Sequence, residues 1–339
     1  KSSLTRYLMG KEYSSKYRII LSEVCYGAIL HLIVVSKVIE KIKPTKVFMS
    51  HAIYIDWGVA LKFLILKNIQ VFVFMEGRVP ATYYFKRVTD YIDISPDKCH
   101  QITWEKEVKN NFKRDFRKKC DEYIFRRYFK NKSSDIIFDL ENKESIAGFK
   151  DRYSLINEKR PLWAIFCHIN WDASGDYYKS IYSSFKEWFE KTFNEIVKNK
   201  NVVWLIKLHP LETKESRIIT NKFIKQFSNL KNADNIKIID YDEKLNPFLF
   251  QKMISGGVTV NGTSGLEAAI QGKPIILAGK PSYGGRGFTI DCDEVSNYVD
   301  TLKNAHKISL LTQNQIELAY KYCYLYFFRK QIKLPIFND

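Results

Sequence analysis

Residues 261–265, Asn261, Gly262, Thr263, Ser264 and Gly265, combine hydroxyls, flexible backbone and unpaired amides where a short helix is expected to begin. Such a junction suits a phosphate, because the helix dipole and the free N–H groups of the first turn both favour an anion. The ordinary alternative is a plain N-cap, for which Thr and Ser are common. A second cluster, Lys207, His209 and Pro210, closes an apolar run. Pro210 stops the strand and fixes the turn. The His209 imidazole could then donate to a phosphate oxygen while Lys207 adds charge, or His209 could merely satisfy a loop carbonyl.

Other residues at expected strand ends extend this chemistry. Glu267 could accept from a ribose hydroxyl, or could form a capping box with Ser264 three residues earlier. Tyr283 and Arg286 lie in a glycine-rich loop, Gly284, Gly285 and Gly287, that could approach a ligand closely. There Arg286 could pair with an anion. His168, Asn170 and Asp172 follow another apolar run. A carboxylate such as Asp172 could trap an oxocarbenium-like centre, or could cap the next helix. Glu76 and Arg78 end a run in the first half, with Glu76 a second carboxylate for acid–base work or the partner of Arg78. His51 and Asp56 could line an acceptor site.

These clusters need a scaffold that gathers strand ends. Short apolar runs at 47–49, 71–75, 162–167, 202–206, 236–239, 258–260 and 274–277 alternate with helical patterns at 19–43, 177–197, 214–228 and 264–271. That alternation predicts an α/β fold with parallel strands covered on both faces. In open parallel sheets ligands bind beyond the carboxyl ends of the strands, and the clusters fall there. Residues 103–132 predict a long basic helix interleaved with aromatics, solvated or membrane-facing. Residues 131–160 are polar and suggest a connection. A Tyr-rich helix at about 312–330 closes the chain.

The 339 residues suffice for two domains, and 45% hydrophobic with 15% aromatic content excludes a disordered chain. Lys and Arg number 54 against 37 Asp and Glu, a net charge of +17 that favours anionic partners or reflects general lysine usage. Cys25, Cys99, Cys120, Cys167, Cys292 and Cys323 form no CxxC pair, so a zinc site of ordinary spacing is not expected. Free thiols fit a reducing cytoplasm. No signal peptide is visible. The apolar run 24–35 is shorter than a bilayer requires, so any membrane contact is expected to be peripheral, with an anionic surface.

Three segments together, Lys207 to Pro210, Asn261 to Pro274 and Ser282 to Thr289, resemble the capsule-polysaccharide glycosyltransferases, in particular the bacterial retaining β-Kdo transferases. The resemblance extends over about 200–290 and more loosely over 45–80 and 162–178. It implies a GT-B fold: an acceptor-side Rossmann-like domain over 1–150, a nucleotide-sugar domain over 151–310, and a helix over 311–339 crossing back, with the site in the cleft. It implies CMP-Kdo as donor and a bacterial glycan or glycolipid as acceptor. His209 then contacts the CMP phosphate with Lys207, Pro210 and the 261–264 turn. Asp172 becomes the nucleophile, and Glu76 a second acidic residue. His51, Arg78, His168, Asn170, Tyr283 and Arg286 are candidate sugar or acceptor contacts. Arg286 departs from the family pattern, where an aromatic is common, and the Asn261-Gly262-Thr263-Ser264 turn is also a variant.

The expected function is retaining transfer of Kdo, or a related 3-deoxy-ulosonic acid, to a surface polysaccharide or glycolipid, with no cofactor or metal. Competing readings are a GT-B transferase using a UDP- or GDP-sugar, a polyol-phosphate transferase, and a basic nucleic-acid-binding protein. Nucleic acid is not expected as a partner, because no motif for it is present.

Overall fold

A computed structural model describes residues 2–8, 13–91, 93–109, 112, 115–129, 144–169, 171, 179–226 and 233–334. The chain divides into two compact units, one built on Lys1–Lys98 with the C-terminal strand, the other on Cys99–Ile169 and Tyr178–Phe327. The units divide at 98/99, whereas the resemblance implies a boundary at 150.

In the first unit, helices α1 (Ser2–Tyr7), α2 (Arg18–Ile42) and α3 (Val59–Leu66) accompany strands β1 (Lys46–Ser50), β2 (Gln70–Glu76) and β3 (Thr82–Val88). The strands β1 and β2 pair in parallel, as their apolar character suggests, but β3 returns antiparallel to β2. The C-terminal strand Gln331–Lys333 then pairs antiparallel with β3. The sheet is therefore mixed, with a single parallel pair. The strand β3 has the β-branched and aromatic composition of a strand, Thr82, Tyr83, Tyr84 and Phe85. Leu61, Leu64, Val71 and Val73 form the core.

The helix α2 is 25 residues long and ends on Lys43, which adopts left-handed backbone and donates to the Ile39 carbonyl. At 1.5 Å per residue it reaches about 37 Å, so the helix is much longer than the apolar run 24–35. By length and composition alone, it is a helix long and apolar enough to cross a membrane.

In the second unit, helices α4 (Gln101–Lys109), α5 (Phe116–Phe129) and α6 (Ile146–Arg152) lead into strand β4 (Leu162–Phe166). There follow α7 (Phe185–Ile196), β5 (Val203–Lys207), α8 (Lys214–Gln226), β6 (Ile236–Ile239), α9 (Pro247–Met253) and β7 (Gly256–Thr259). The unit continues with α10 (Thr263–Ile270), β8 (Ile275–Leu277), β9 (Ile290–Asp291), α11 (Val295–Lys303) and α12 (Gln313–Tyr324). All six strands are parallel, in the order β6-β5-β4-β7-β8-β9. Numbered within the unit this is 3-2-1-4-5-6, the order of dinucleotide-binding α/β domains, whose strand order reverses between the first and fourth strands.

Alternation along the strands explains why both faces are covered. Trp163, Ile165, Trp204 and Ile206 point into one core with Trp188, Phe193 and Tyr298 from α7 and α11. Leu162, Ala164, Val203 and Leu205 point into the other with Phe149 and Phe250 from α6 and α9.

The basic aromatic stretch is not a solvated or membrane-facing helix. Phe116, Cys120, Tyr123, Ile124, Arg127 and Tyr128 are buried on α5, a spacing of three and four residues that forms one stripe. That stripe packs against α12 and the turn that follows it, where Cys120 faces the Tyr320 carbonyl and the Tyr123 ring lies 4.2 Å from the Phe327 ring, centroid to centroid. The charges between them, Arg117 with Glu317 among them, occupy the outer face.

Candidate active site

A cavity of about 580 Å³ opens in the second unit beyond the carboxyl ends of its strands. The strand β4 contributes Phe166, Cys167 and His168, and β5 contributes Lys207 to Leu211. The segment after β6 contributes Tyr241 to Asn246, and β7 with the start of α10 contributes Thr259 and Gly262 to Ser264. The strands β4 and β7 are the neighbours at which the order reverses, the place where two loops part and leave a crevice. Lys207, His209, Pro210, Gly262, Thr263, Ser264 and His168 are thus brought together.

The β7–α10 turn is fixed from several sides. His168 Nε2 accepts from the Val260 and Asn261 amides at 3.2 and 3.4 Å and lies 3.1 Å from Thr259 Oγ1. Thr259 Oγ1 itself accepts from the Gly262 amide at 3.3 Å. The Tyr283 hydroxyl donates to the Gly262 carbonyl at 2.6 Å. Gly265 leaves the room this needs, since a Cβ there would overlap the Tyr283 hydroxyl. With residues 260–262 so committed, the Thr263 and Ser264 amides are the first-turn donors of α10 that carry no partner among the described residues. They supply the positive end of the helix to the cavity.

His209 Nδ1 accepts from the Leu211 amide at 3.2 Å, a bond that Pro210 permits by turning the chain. The neutral ring then carries its proton on Nε2, as a donor. Burial, with the neighbouring Lys207 charge, lowers the His209 pKa to about 4, so the ring is neutral at physiological pH. Burial also lowers Lys207 to about 8. Its ammonium reaches the Asp240 carbonyl at 3.3 Å and has no carboxylate ion-pair partner among the described residues. His168 is stacked on Phe185 at 4.5 Å, and loss of water, then the nearby His209, lowers it to about 3.

The carboxylates of the lining are already matched. Glu243 accepts from Arg152 at 2.6 Å, from Tyr153 at 2.9 Å and from the Leu245 amide at 2.9 Å. Glu144 also pairs with Arg152, and Asp242 takes a bidentate contact from Arg217 at 3.0 and 3.2 Å. Among the described residues the unmatched groups include the Lys207 ammonium, with Lys244 at the exposed rim, the His209 imidazole N–H and a helix N-terminus, a set built for an anion.

Several expected contacts lie elsewhere. Glu267 is buried behind the cavity, not in its lining; it pairs with Arg127 at 3.3 Å and accepts from Tyr128 and from Gln251 at 3.1 Å. Its carboxylate is used inside the fold, which leaves the ribose role without support. It forms no capping box either, because Gly262 is the N-cap of α10. Tyr283 braces the turn from a buried position and does not line the cavity. Arg286 is spent on Gln101 and on the Cys99 carbonyl, fastening its loop to the start of the unit. His51, Glu76 and Arg78 belong to the first unit, His51 and Glu76 exposed after β1 and at the end of β2. Asn170 and Asp172 lie outside the described residues.

A family model described as "Capsule polysaccharide biosynthesis protein" matches residues 142–327, more than half of the chain and the whole of this cavity apart from Arg127, Tyr128 and Phe129. The chain belongs to the capsule polysaccharide biosynthesis protein family. No curated protein matches it. Among solved structures it is similar to a Thermosulfurimonas dismutans KpsC β-Kdo 2,4 transferase, at 14% identity and TM-score 0.47 over 82% of this chain and 78% of that one. The corresponding β-Kdo 2,7 transferase gives 16% identity and TM-score 0.47 over 85% and 78%. A Methanocaldococcus jannaschii UDP-GlcNAc 2-epimerase gives 16% identity and TM-score 0.38 over 87% and 78%.

In this capsule-family member the cavity also contains residues that the sequence pattern did not single out. Arg127 and Tyr128 come from α5, Gln251 from α9 and Asn246 from the residue that precedes α9. The only sequence signal for α5 was its buried stripe, which mixes charge with aromatics and hides the core face. Asn246 does carry a readable sign, an Asn directly before Pro247, and it caps α9 by accepting from the Phe248 amide.

Proposed function

We propose that this capsule-family protein is a glycosyltransferase that binds a CMP-activated 3-deoxy-ulosonic acid, CMP-Kdo or a close relative, and transfers the sugar to a glycan or glycolipid acceptor. One observation carries the reading. The His209 Nε2 donor, the Lys207 ammonium and the open amides of Thr263 and Ser264 line one cavity at the strand-order reversal of a nucleotide-binding type of sheet. A nucleoside monophosphate leaving group gains negative charge as its bond to the sugar breaks. Donors fixed before the reaction stabilise that charge without reorganising.

In the proposed chemistry the Asp172 carboxylate attacks the anomeric carbon, and the bond to the phosphate oxygen breaks with its electron pair on CMP. Lys207, His209 and the α10 N-terminus hold the departing phosphate. An acceptor hydroxyl then displaces Asp172, its proton passing to a general base, and two inversions give net retention. The CMP anion needs no carboxylate from the lining, which agrees with Glu144, Asp242 and Glu243 being matched to arginines.

The test is transfer assayed by mass spectrometry, with CMP-Kdo generated in situ and defined glycan acceptors. A product heavier by one Kdo residue, absent with Asp172→Asn, is expected. Transfer from UDP- or GDP-sugars alone contradicts the donor assignment, and full activity of Asp172→Asn contradicts the covalent step.

A further inference from the structure

The helix α2 has no buried residue along its 25 positions. Its outward face is apolar: Tyr26 is 64% exposed, Ile29 57%, Leu30 43%, Ile33 44%, Val34 56% and Val38 46%. No charged residue occurs between Val24 and Ser36. Soluble monomers rarely leave a continuous apolar strip of this length in water, because each exposed Å² costs about 25 cal/mol relative to burial. The same helix is fixed on its other side, where Val35 and Ile39 pack against the first unit's core. A helix held along one side can offer only the opposite face, so it lies along a surface and does not thread through it.

The charges say what that surface is. Exposed Lys16 and Arg18 precede the apolar strip, and exposed Lys37, Lys41, Lys43 and Lys46 follow it, against Glu23 and Glu40 within the helix. An apolar centre between cationic ends matches acyl chains beneath anionic headgroups, with lysine stems reaching the phosphates. A second copy of the chain fits less well. Antiparallel pairing of two α2 helices about a twofold axis sets Lys41 and Lys43 against Lys16 and Arg18, like charge against like.

We propose that α2 is a membrane-docking helix, lying in the plane of an anionic bilayer with the Tyr26–Ile33–Val34 face in the lipid and the flanking lysines at the headgroups. This does not depend on the donor assigned above.

The experiment is flotation of the full-length protein with vesicles of phosphatidylglycerol and phosphatidylethanolamine, and with neutral phosphatidylcholine vesicles. Expected is co-flotation with the anionic vesicles, at least tenfold weaker on the neutral ones and weakened by raised salt. Ile29→Glu/Ile33→Glu should abolish flotation while leaving CMP binding and thermal stability near wild type, because both side chains are exposed. Lys37→Glu/Lys41→Glu/Lys43→Glu should remove the preference for anionic lipid. Failure of the wild type to float overturns the proposal, as does unchanged flotation of the isoleucine variant. A soluble wild-type dimer that this variant converts to a monomer also overturns it and assigns the face to a second copy.

Discussion

His168 Nε2 accepts a hydrogen bond from the Val260 amide at 3.2 Å, across 92 residues of sequence. The Thr259 hydroxyl, which accepts from Gly262, has its own proton free for the same nitrogen. The ring is therefore neutral, with its proton on Nδ1, and protonating Nε2 would release the turn that presents Thr263 and Ser264. Its pKa is lowered to about 3, from about 6.5 in an unfolded chain. The unfolded state thus takes up the proton first on acidification. The contribution is complete above about pH 6.5 and is lost as pH falls towards 3. By NMR, the His168 ring should show no titration between pH 8 and 5. A midpoint near 6.5 would contradict this role.

Lys207 supplies the pH dependence of ligand binding. Its free pKa of about 8 must rise when an anion binds beside it, so affinity should be full below pH 8 and decline as pH rises above it. Calorimetric titration of CMP from pH 7 to 9.5 measures the effect. Lys207→Met should bind more weakly at pH 7 and lose most of the decline; a Lys207→Met profile identical to wild type would remove Lys207 from the site.

Glu267 and Arg127 form an ion pair with side-chain exposures of 1% and 3%. Glu267→Ala leaves a buried guanidinium unpaired, and about 3–5 kcal/mol of stability should be lost in denaturant unfolding. Arg127→Met in the same chain should restore a large part of it. If the double variant is as unstable as the sum of the single ones, the pair does not couple α5 to α10.

Gly265 and Tyr283 make a steric prediction. Gly265→Ala places a methyl on the Tyr283 hydroxyl, displaces its bond to Gly262 and should weaken CMP binding about tenfold or more, a loss of roughly one charge-assisted hydrogen bond. Gly265→Ala/Tyr283→Phe relieves the overlap and should melt higher than Gly265→Ala alone. Equal melting temperatures for the two would show that the contact is not the constraint.

Much of the second unit was legible in the chain because its strands are buried on both faces and read as short apolar runs. Ile236–Ile239 has the expected bounds, and Lys207, His209 and Gly262 to Ser264 fall at strand ends where the parallel pattern placed them. What the chain did not show was which polar groups are spent internally. Glu267, Tyr283 and Arg286 look like ligand contacts by type and spacing. Their partners Arg127, Gly262 and Cys99 are 140, 21 and 187 residues away in sequence, and only packing reveals them. The antiparallel β3 was hidden because its alternation is broken by consecutive Tyr83, Tyr84 and Phe85.

The central claim is an anion site formed by His209 with Lys207 and the α10 N-terminus, and calorimetric titration of CMP into His209→Ala tests it most directly. Loss of one hydrogen bond to a charged group predicts affinity reduced roughly 10- to 150-fold. Wild-type CMP affinity in His209→Ala, or no CMP binding by the wild-type protein, would contradict the account.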